Sequence, residues 1–206
     1  METLKKILFG ISLTFLFNCV QAQSTAVMEA AFSKSYVAEK DNDYTAAINS
    51  LKTVYKADSY ITNIRLGWLH YLAKQYIESV RYYEKAIALM PYAIEARFGC
   101  VKPLSALENW EKVKENYFQI LKIDPQNTTA NYWLGVIYYN RKDYANANKL
   151  FEKVVNLYPL DYDSVIMLAW TKLNTGKNED AKVLFHQALI LRPSDSSALS
   201  GLKLIK

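Results

Sequence analysis

Four prolines divide much of this chain at a constant interval. Pro91, Pro125, Pro159 and Pro193 are evenly spaced. Because proline has no backbone N–H and its ring clashes with the preceding helical turn, each of them is expected to end a helix. A period of about 34 residues indicates that one structural unit is repeated along the chain. The spacing therefore predicts an array of similar units, in which each unit packs against its neighbours.

The most regular unit is residues 128–161. Apolar residues recur at helical intervals on both sides of the polar turn 140–143, which predicts two amphipathic helices joined as a hairpin. Gly135 and Ala147 are small residues predicted to lie on facing surfaces, where they would let the two helices approach closely. Such a hairpin cannot bury its apolar faces alone and requires neighbouring copies of itself.

Equivalent positions carry similar residues in successive units. Aromatic residues recur at Tyr83, Tyr117, Phe151 and Phe185, and small or branched residues at Gly67, Val101, Gly135 and Ala169. On these motifs the chain resembles the tetratricopeptide repeat family, whose signature places Leu-Gly, an aromatic residue, Ala, Phe and Pro within one repeat. The resemblance implies an all-α fold, a right-handed α-solenoid of about five helix-turn-helix repeats with a C-terminal capping helix.

The predicted repeat domain spans residues 23–206. Its repeats are about 26–59, 60–93, 94–127, 128–161 and 162–195, followed by the capping helix 196–206. The third repeat is irregular because Pro103 falls inside its first helix, four residues after Gly99, which can relax more easily than other residues. We expect a local kink that packing absorbs. A bend that changes the curvature of the array or opens a groove is the alternative.

The last segment is predicted to cap the array. Residues 194–197 form a polar cluster that suits a helix N-terminus. Ala198, Leu199, Leu202 and Ile205 are predicted to share one face of the helix that follows. That face would cover the exposed apolar side of the last hairpin, as a repeat array requires at its end.

The N-terminal segment differs from the repeats. Two lysines precede an apolar run at residues 7–17, and residues 20–22 place small side chains at the spacing of a cleavage site. This pattern predicts a secretory signal peptide, residues 1–22, cleaved near Ala22. An uncleaved N-terminal anchor is one alternative. Lipid attachment at Cys19 is another, although the two residues before it are bulkier than such a site favours.

Charge and its distribution argue against a nucleic-acid partner. The net charge is +5, and removal of residues 1–22 takes away two lysines and one glutamate to leave +4. Lysines such as Lys112, Lys149 and Lys182 are interspersed with acidic residues, whereas a nucleic-acid-binding protein is expected to cluster them. A membrane contact is expected only if Cys19 is lipidated or the signal segment is retained.

The sequence contains no recognisable catalytic, metal or cofactor motif. His70 and His186 lie in different hairpins, without a His-Glu-x-x-His motif or a Cys/His cluster, and there is no Gly-rich phosphate loop. His70 is predicted to be packed and hydrogen-bonded, and Cys100 to behave as a small core hydrophobe. We therefore expect no catalytic residue, no metal and no cofactor. An enzyme with a site assembled from scattered residues is the alternative of another class.

The family resemblance also implies where a partner would bind. In tetratricopeptide repeat proteins the first helices of successive hairpins line a concave wall that commonly binds extended peptides or partner helices. The equivalent positions here are Ile64, Trp68, Tyr71, Phe98, Lys102, Tyr132, Val136, Tyr139, Ile166, Trp170 and Leu173. Because these residues are mostly apolar or aromatic, a clamp for a C-terminal carboxylate is not expected. The alternative is that several of the aromatic residues pack against neighbouring hairpins.

These features predict a non-enzymatic protein–protein interaction scaffold or adaptor of the bacterial cell envelope. It would bind a peptide or partner segment in an aromatic concave groove and would be periplasmic or secreted after signal-peptide cleavage. An alternative in the same compartment is an outer-membrane lipoprotein, as a lipid-anchored subunit of an outer-membrane or secretion assembly.

Mass spectrometry of the natively exported protein tests the targeting prediction. We expect a polypeptide that begins at Gln23 and carries no lipid, because the small residues at 20–22 suit a signal peptidase. Retention of residues 1–22, or a diacylated Cys19, would contradict this prediction.

Overall fold

The computed structural model describes residues 25–205. Within that range every regular element is an α-helix and no strand occurs. The helices are α1 (25–40), α2 (Tyr44–Lys52), α3 (Tyr60–Leu72), α4 (Tyr76–Leu89), α5 (Ile94–Ala106), α6 (Trp110–Ile123), α7 (Thr128–Asn140), α8 (Tyr144–Leu157), α9 (Tyr162–Asn174), α10 (Asn178–Leu191) and α11 (Ser196–Leu204). The predicted all-α fold class is confirmed. The predicted signal segment lies outside the described residues.

The helices form two compact units. Unit 1 contains α1 to α5 and ends at Leu107, and unit 2 contains α6 to α11 and begins at Glu108. In unit 1, α3 packs against α2 and α4, and α4 packs against α5. In unit 2, each helix packs against the next one along the chain. Both units therefore consist of helices that contact mainly their sequence neighbours.

A left-handed backbone residue recurs in the turns that follow α3, α5, α7 and α9. Lys74, Glu108, Lys142 and Gly176 have φ values of 58°, 57°, 61° and 74°, and they recur with the same interval as the prolines. Asn42, with φ of 61°, precedes Lys74 by a slightly shorter interval. Residues other than glycine adopt this region at a cost. The geometry of the turn, rather than a glycine in the sequence, therefore fixes this conformation.

Side-chain caps define where most of the helices begin. Each cap accepts a hydrogen bond from the backbone N–H three residues further on, which satisfies one of the donors left free at a helix N-terminus. The capping residues are Asp43, Ser59, Asn109, Asn127, Asp143, Asp161 and Asp195. The predicted cap within residues 194–197 is confirmed, because Asp195 accepts from the Ala198 N–H at 2.7 Å.

In unit 1 the ring of Tyr83, on α4, lies between two glycines of neighbouring helices. A Cβ atom on Gly99 of α5 would lie 2.2 Å from Tyr83 Cε1, and one on Gly67 of α3 would lie 3.0 Å from Tyr83 Cδ2. Interiors are close-packed, so a side chain on Gly99 would have to displace the ring. The ring, rather than Pro103, is thus the structural reason for a glycine at 99. The helix α5 continues through the buried Pro103 to Ala106.

Unit 2 uses the same contact between an aromatic ring and a glycine. A Cβ on Gly135 would lie 2.8 Å from Phe151 Cε1, and one on Gly201 would lie 2.1 Å from Phe185 Cζ. Gly135 therefore makes room for Phe151, whereas the sequence suggests Ala147 as the residue facing it. Because Gly201 belongs to α11, the same device holds the C-terminal helix against α10.

The inward face of α11 differs in part from the predicted one. Ala198 and Gly201 are buried, and Leu202 and Ile205 pack at the edge of the neighbouring apolar cluster. Leu199 is 42% exposed, so its predicted place on the buried face is wrong. The close approach of Phe185 to Gly201 turns Ala198 inward and leaves Leu199 toward solvent.

Two residues with reactive side chains are buried in unit 1, as predicted. Cys100 lies in the core. His70 donates its Nδ1–H to Gln75 Oε1 at 2.6 Å and stacks on Tyr82, with ring centroids 5.1 Å apart. Burial lowers the pKa of His70, which favours the neutral ring. Both side chains therefore serve packing.

A core substitution in a hairpin should lower the free energy of unfolding more than one in the C-terminal helix. Leu134→Ala removes a buried side chain between two helices and should lower the free energy of unfolding by about 2–5 kcal/mol. Leu202→Ala removes a half-buried side chain from α11 and should cost less, because α11 packs at the end of the chain against α9 and α10. Denaturant unfolding of both variants measures the difference. Equal losses would argue against a peripheral role for α11.

Candidate partner-binding site

The predicted wall residues of unit 1 form an aromatic cluster with a lysine above it. Trp68 and Tyr71 lie one turn apart on α3, with ring centroids 5.7 Å apart, and Tyr76 extends the cluster at 5.9 Å from Tyr71. Lys102 of α5 places its Nζ 5.0 Å from the Trp68 ring and 6.0 Å from the Tyr71 ring. We call Trp68, Tyr71 and Lys102 the unit-1 wall.

An internal carboxylate fixes the Trp68 ring. The Trp68 Nε1–H donates to Glu39 Oε1 at 2.7 Å, and the other oxygen of Glu39 pairs with the buried guanidinium of Arg65. The Arg65 guanidinium in turn lies 3.8 Å from the centroid of the exposed Tyr36 ring. Glu39 was not singled out by the sequence, because its link to α3 depends on how α1 packs. The wall therefore rests on a charged pair that holds its largest ring in place.

The unit-1 wall carries an unbalanced positive charge. Arg65 is neutralised by Glu39, whereas Lys102 is exposed and forms no ion pair with any residue in the described range 25–205. Cation–π contacts with the two rings position its ammonium group. Ile64 and Phe98, the other predicted wall residues of this unit, are half-buried.

In unit 2 the predicted residues of α7 combine packing with partial exposure. Tyr132, Val136 and Tyr139 border the core cluster that contains Phe151. The ring of Tyr132 meets Phe151 edge-on, with centroids 5.9 Å apart. The Tyr139 hydroxyl accepts from Asn174 Nδ2 at 3.1 Å. Tyr132 and Tyr139 therefore also hold neighbouring helices together. This agrees with the alternative given above, that several of the predicted wall aromatics pack against neighbouring hairpins.

The predicted wall residues of α9 are engaged mainly in packing, and they offer less accessible surface than those of α3 and α7. Ile166 is only 8% exposed and belongs to the core, so its placement on an open wall is a correction to the prediction. Trp170 meets Phe185 edge-on at 5.2 Å and donates its Nε1–H to Ser197 Oγ at 2.8 Å. Leu173 is half-buried near the same cluster. The indole of Trp170 thus ties α11 to α9.

A cleft in unit 2 was not anticipated from the sequence. It has a volume of about 670 Å³ and lies among the start of α7, the end of α8, the turn 159–161 and the start of α9. Its exposed apolar residues include Trp133 and Leu160, which are 48% and 75% exposed, and Asp161 lies at its edge. We call it the turn cleft. The sequence signal for this cleft is the apolar residue Leu160 directly after Pro159. The equivalent position after Pro193 is occupied by the polar residue Ser194.

No helix within residues 25–205 is both long and apolar enough to cross a membrane. No group of three or more His, Cys, Asp or Glu side chains among those residues could hold a metal ion.

Sequence models of known families agree with the helical pattern. Three tetratricopeptide repeat models match residues 62–93, 104–162 and 141–204, which together make up more than half of the chain. The chain belongs to the tetratricopeptide repeat family. Proteins of this family bind protein or peptide partners and are typically non-enzymatic. Fold and family therefore support a protein–protein interaction scaffold.

Solved structures show the same fold at low sequence identity. The crystal structure of MamA has a TM-score of 0.70 and 17% identity, covering 80% of this chain and 91% of that chain. A tetratricopeptide repeat protein from Parabacteroides merdae has a TM-score of 0.74 and 20% identity, covering 86% and 71%. YrrB, described as having an unusual peptide-binding site, has a TM-score of 0.71 and 16% identity, covering 88% and 98%. These likenesses show a helical solenoid fold alone. No curated protein matches the chain.

The structural role of Trp170 can be separated from partner binding by hydrogen exchange. Trp170→Ala should increase exchange in α11 and cost about 2–3 kcal/mol, less than a fully buried ring would, because contacts to Phe185 and Ser197 are lost. Ser197→Ala removes only the hydrogen bond and should cost about 1 kcal/mol. Unchanged protection of α11 in Trp170→Ala would show that the indole does not hold this helix.

Proposed function

We propose that this tetratricopeptide repeat protein is a non-enzymatic scaffold of the bacterial cell envelope that binds an extended segment of a partner protein. The segment lies across the unit-1 wall, with an apolar part against Trp68 and Tyr71 and a carboxylate near Lys102. Export rests on the signal-peptide motif in residues 1–22. Peptide binding rests on the family and on the chemistry of the wall.

The observation that carries the proposal is the exposed Lys102 above two aromatic rings. The rings offer apolar area with few rotatable bonds, so a partner loses little side-chain entropy in packing against them. The ammonium group is held by cation–π contacts but has no carboxylate of its own in the described part of the chain. A segment that carries an Asp or Glu beside an apolar residue would complement both features.

The anchoring of Trp68 supports the same interpretation. Glu39 accepts from the indole N–H and is itself held by Arg65. A ring that already occupies its final position costs less to immobilise when a partner binds, which favours affinity. The peptide-binding site described for YrrB supports a peptide as a ligand class for this fold.

Capture from envelope extract, quantified by mass spectrometry, tests the proposal. Lys102→Glu should reduce recovery of the specific partner, with Lys102→Ala intermediate, because one favourable charge pair is first lost and then reversed. An exposed pair contributes roughly 0.2–1 kcal/mol, so we expect an affinity loss of about 1.4-fold to fivefold for Lys102→Ala. Raising the salt concentration should reduce the difference between the variants.

Lys149→Ala is the matched control, because Lys149 lies on the second helix of another hairpin, α8, and should leave capture unchanged. Trp68→Ala should weaken capture by about thirtyfold if the ring is an interface anchor worth about 2 kcal/mol. Its circular dichroism must be recorded, because the indole also binds Glu39. A partner recovered equally by Lys102→Glu and the unaltered protein would rule out the unit-1 wall as the site.

A further inference from the structure

We propose that the turn cleft is a second binding site, specific for a partner segment that places a large apolar side chain next to a lysine or arginine. Its volume of about 670 Å³ falls in the range of roughly 300–1,000 Å³ that ligand pockets occupy. The site is distinct from the unit-1 wall and does not depend on the function proposed for that wall.

The apolar part of the cleft is open to solvent. Trp133, Leu157 and Leu160 line it and are 48%, 48% and 75% exposed. These side chains come from three different segments, namely α7, α8 and the following turn, and they surround one concavity. Exposed apolar side chains are common when scattered, but their convergence in a cleft indicates binding.

The polar part of the cleft is anionic. Asp161 and Asp163 lie at its edge, and no lysine or arginine of the described chain is among the lining residues. Burial raises the pKa of the Tyr132 phenol, which also lines the cleft, and the negative charges of Asp163 and Asp161 raise it further. Ser164 is also in the lining, and its buried Oγ has no hydrogen-bond partner in the described part of the chain.

A cation from outside the cleft approaches this edge. Arg192 Nη2 lies 3.6 Å from Asp163 Oδ1, and both side chains are more than half exposed. The guanidinium also lies 3.6 Å from the Tyr162 ring centroid. An exposed pair of this kind is weak, and Asp161 has no ion-pair partner within residues 25–205. The edge therefore keeps a negative charge that a basic residue of a partner would neutralise.

Fluorescence polarisation with labelled peptides tests the proposal on the protein as purified from its host cells. The probe is Gly-Ser-Gly-Phe-Arg-Gly-Ser-Gly, and the matched peptides replace Arg by Glu or Phe by Ala. We expect the Phe-Arg peptide to bind at least about tenfold more tightly than either matched peptide, a difference of about 1.4 kcal/mol. Amide chemical-shift changes should map to residues 128–133 and 157–164.

Three variants at the cleft, together with one control variant, show whether the cleft is responsible. Leu160→Ser should weaken binding of the Phe-Arg peptide about threefold to tenfold, whereas Tyr92→Ser should not, although Tyr92 is 84% exposed at the equivalent position two repeats earlier. Asp161→Asn removes the charge but keeps a side chain that can cap α9, so it should weaken binding without loss of helicity. Arg192→Ala removes the competing cation and should strengthen binding.

Several outcomes would overturn the proposal. These are equal binding of the three peptides, shift changes outside the cleft, or affinities unaffected by Leu160→Ser and Asp161→Asn. Sedimentation that reveals a dimer dissolved by Leu160→Ser would mean that a second copy of the chain occupies the cleft. Lys102→Glu should leave peptide binding at the cleft unchanged, so failure here and failure of the unit-1 wall remain distinguishable.

Discussion

The contact on which both units depend is an aromatic ring packed directly against a glycine of an adjacent helix. Tyr83 fills the space between Gly67 and Gly99, and Phe185 approaches Gly201 so closely that no Cβ could be added. These rings occupy equivalent positions of the repeat, so one device sets the spacing of successive helices. Since close-packed interiors resist small changes in volume, the contact also decides which side chains of a first helix face outward.

The tryptophan at one repeated position of the first helices has a different role in each unit. On α3, Trp68 is oriented by a polar contact with Glu39 and stands beside the ammonium group of Lys102. On α9, Trp170 is occupied by Phe185 and Ser197. The same repeat position thus carries Trp68, an oriented ring next to a lysine, in unit 1. In unit 2 it carries Trp170, which holds the last helix, α11, against α9. Family membership alone does not distinguish these roles.

The two surfaces that stand out also differ in charge. The unit-1 wall combines aromatic rings with a lysine, whereas the turn cleft combines apolar residues with Asp161 and Asp163. Scaffolds gain specificity when unfavourable charges exclude wrong partners as well as when favourable contacts hold the right ones. We therefore expect different partner segments at the two proposed sites.

The sequence by itself determined the helical architecture, because evenly spaced prolines, ring positions and small positions are local signals with one period. It also determined the burial of Cys100 and His70 and the polar cap at the start of the last helix. Only tertiary structure decided that Ile166 is buried, that Leu199 faces solvent and that Leu160 borders a cleft. Helical spacing gives a residue's face on its own helix, but burial depends on what the neighbouring helices bring to that face. The link from Glu39 to Trp68 joins residues on different helices, far apart in the chain, and no local pattern encodes it.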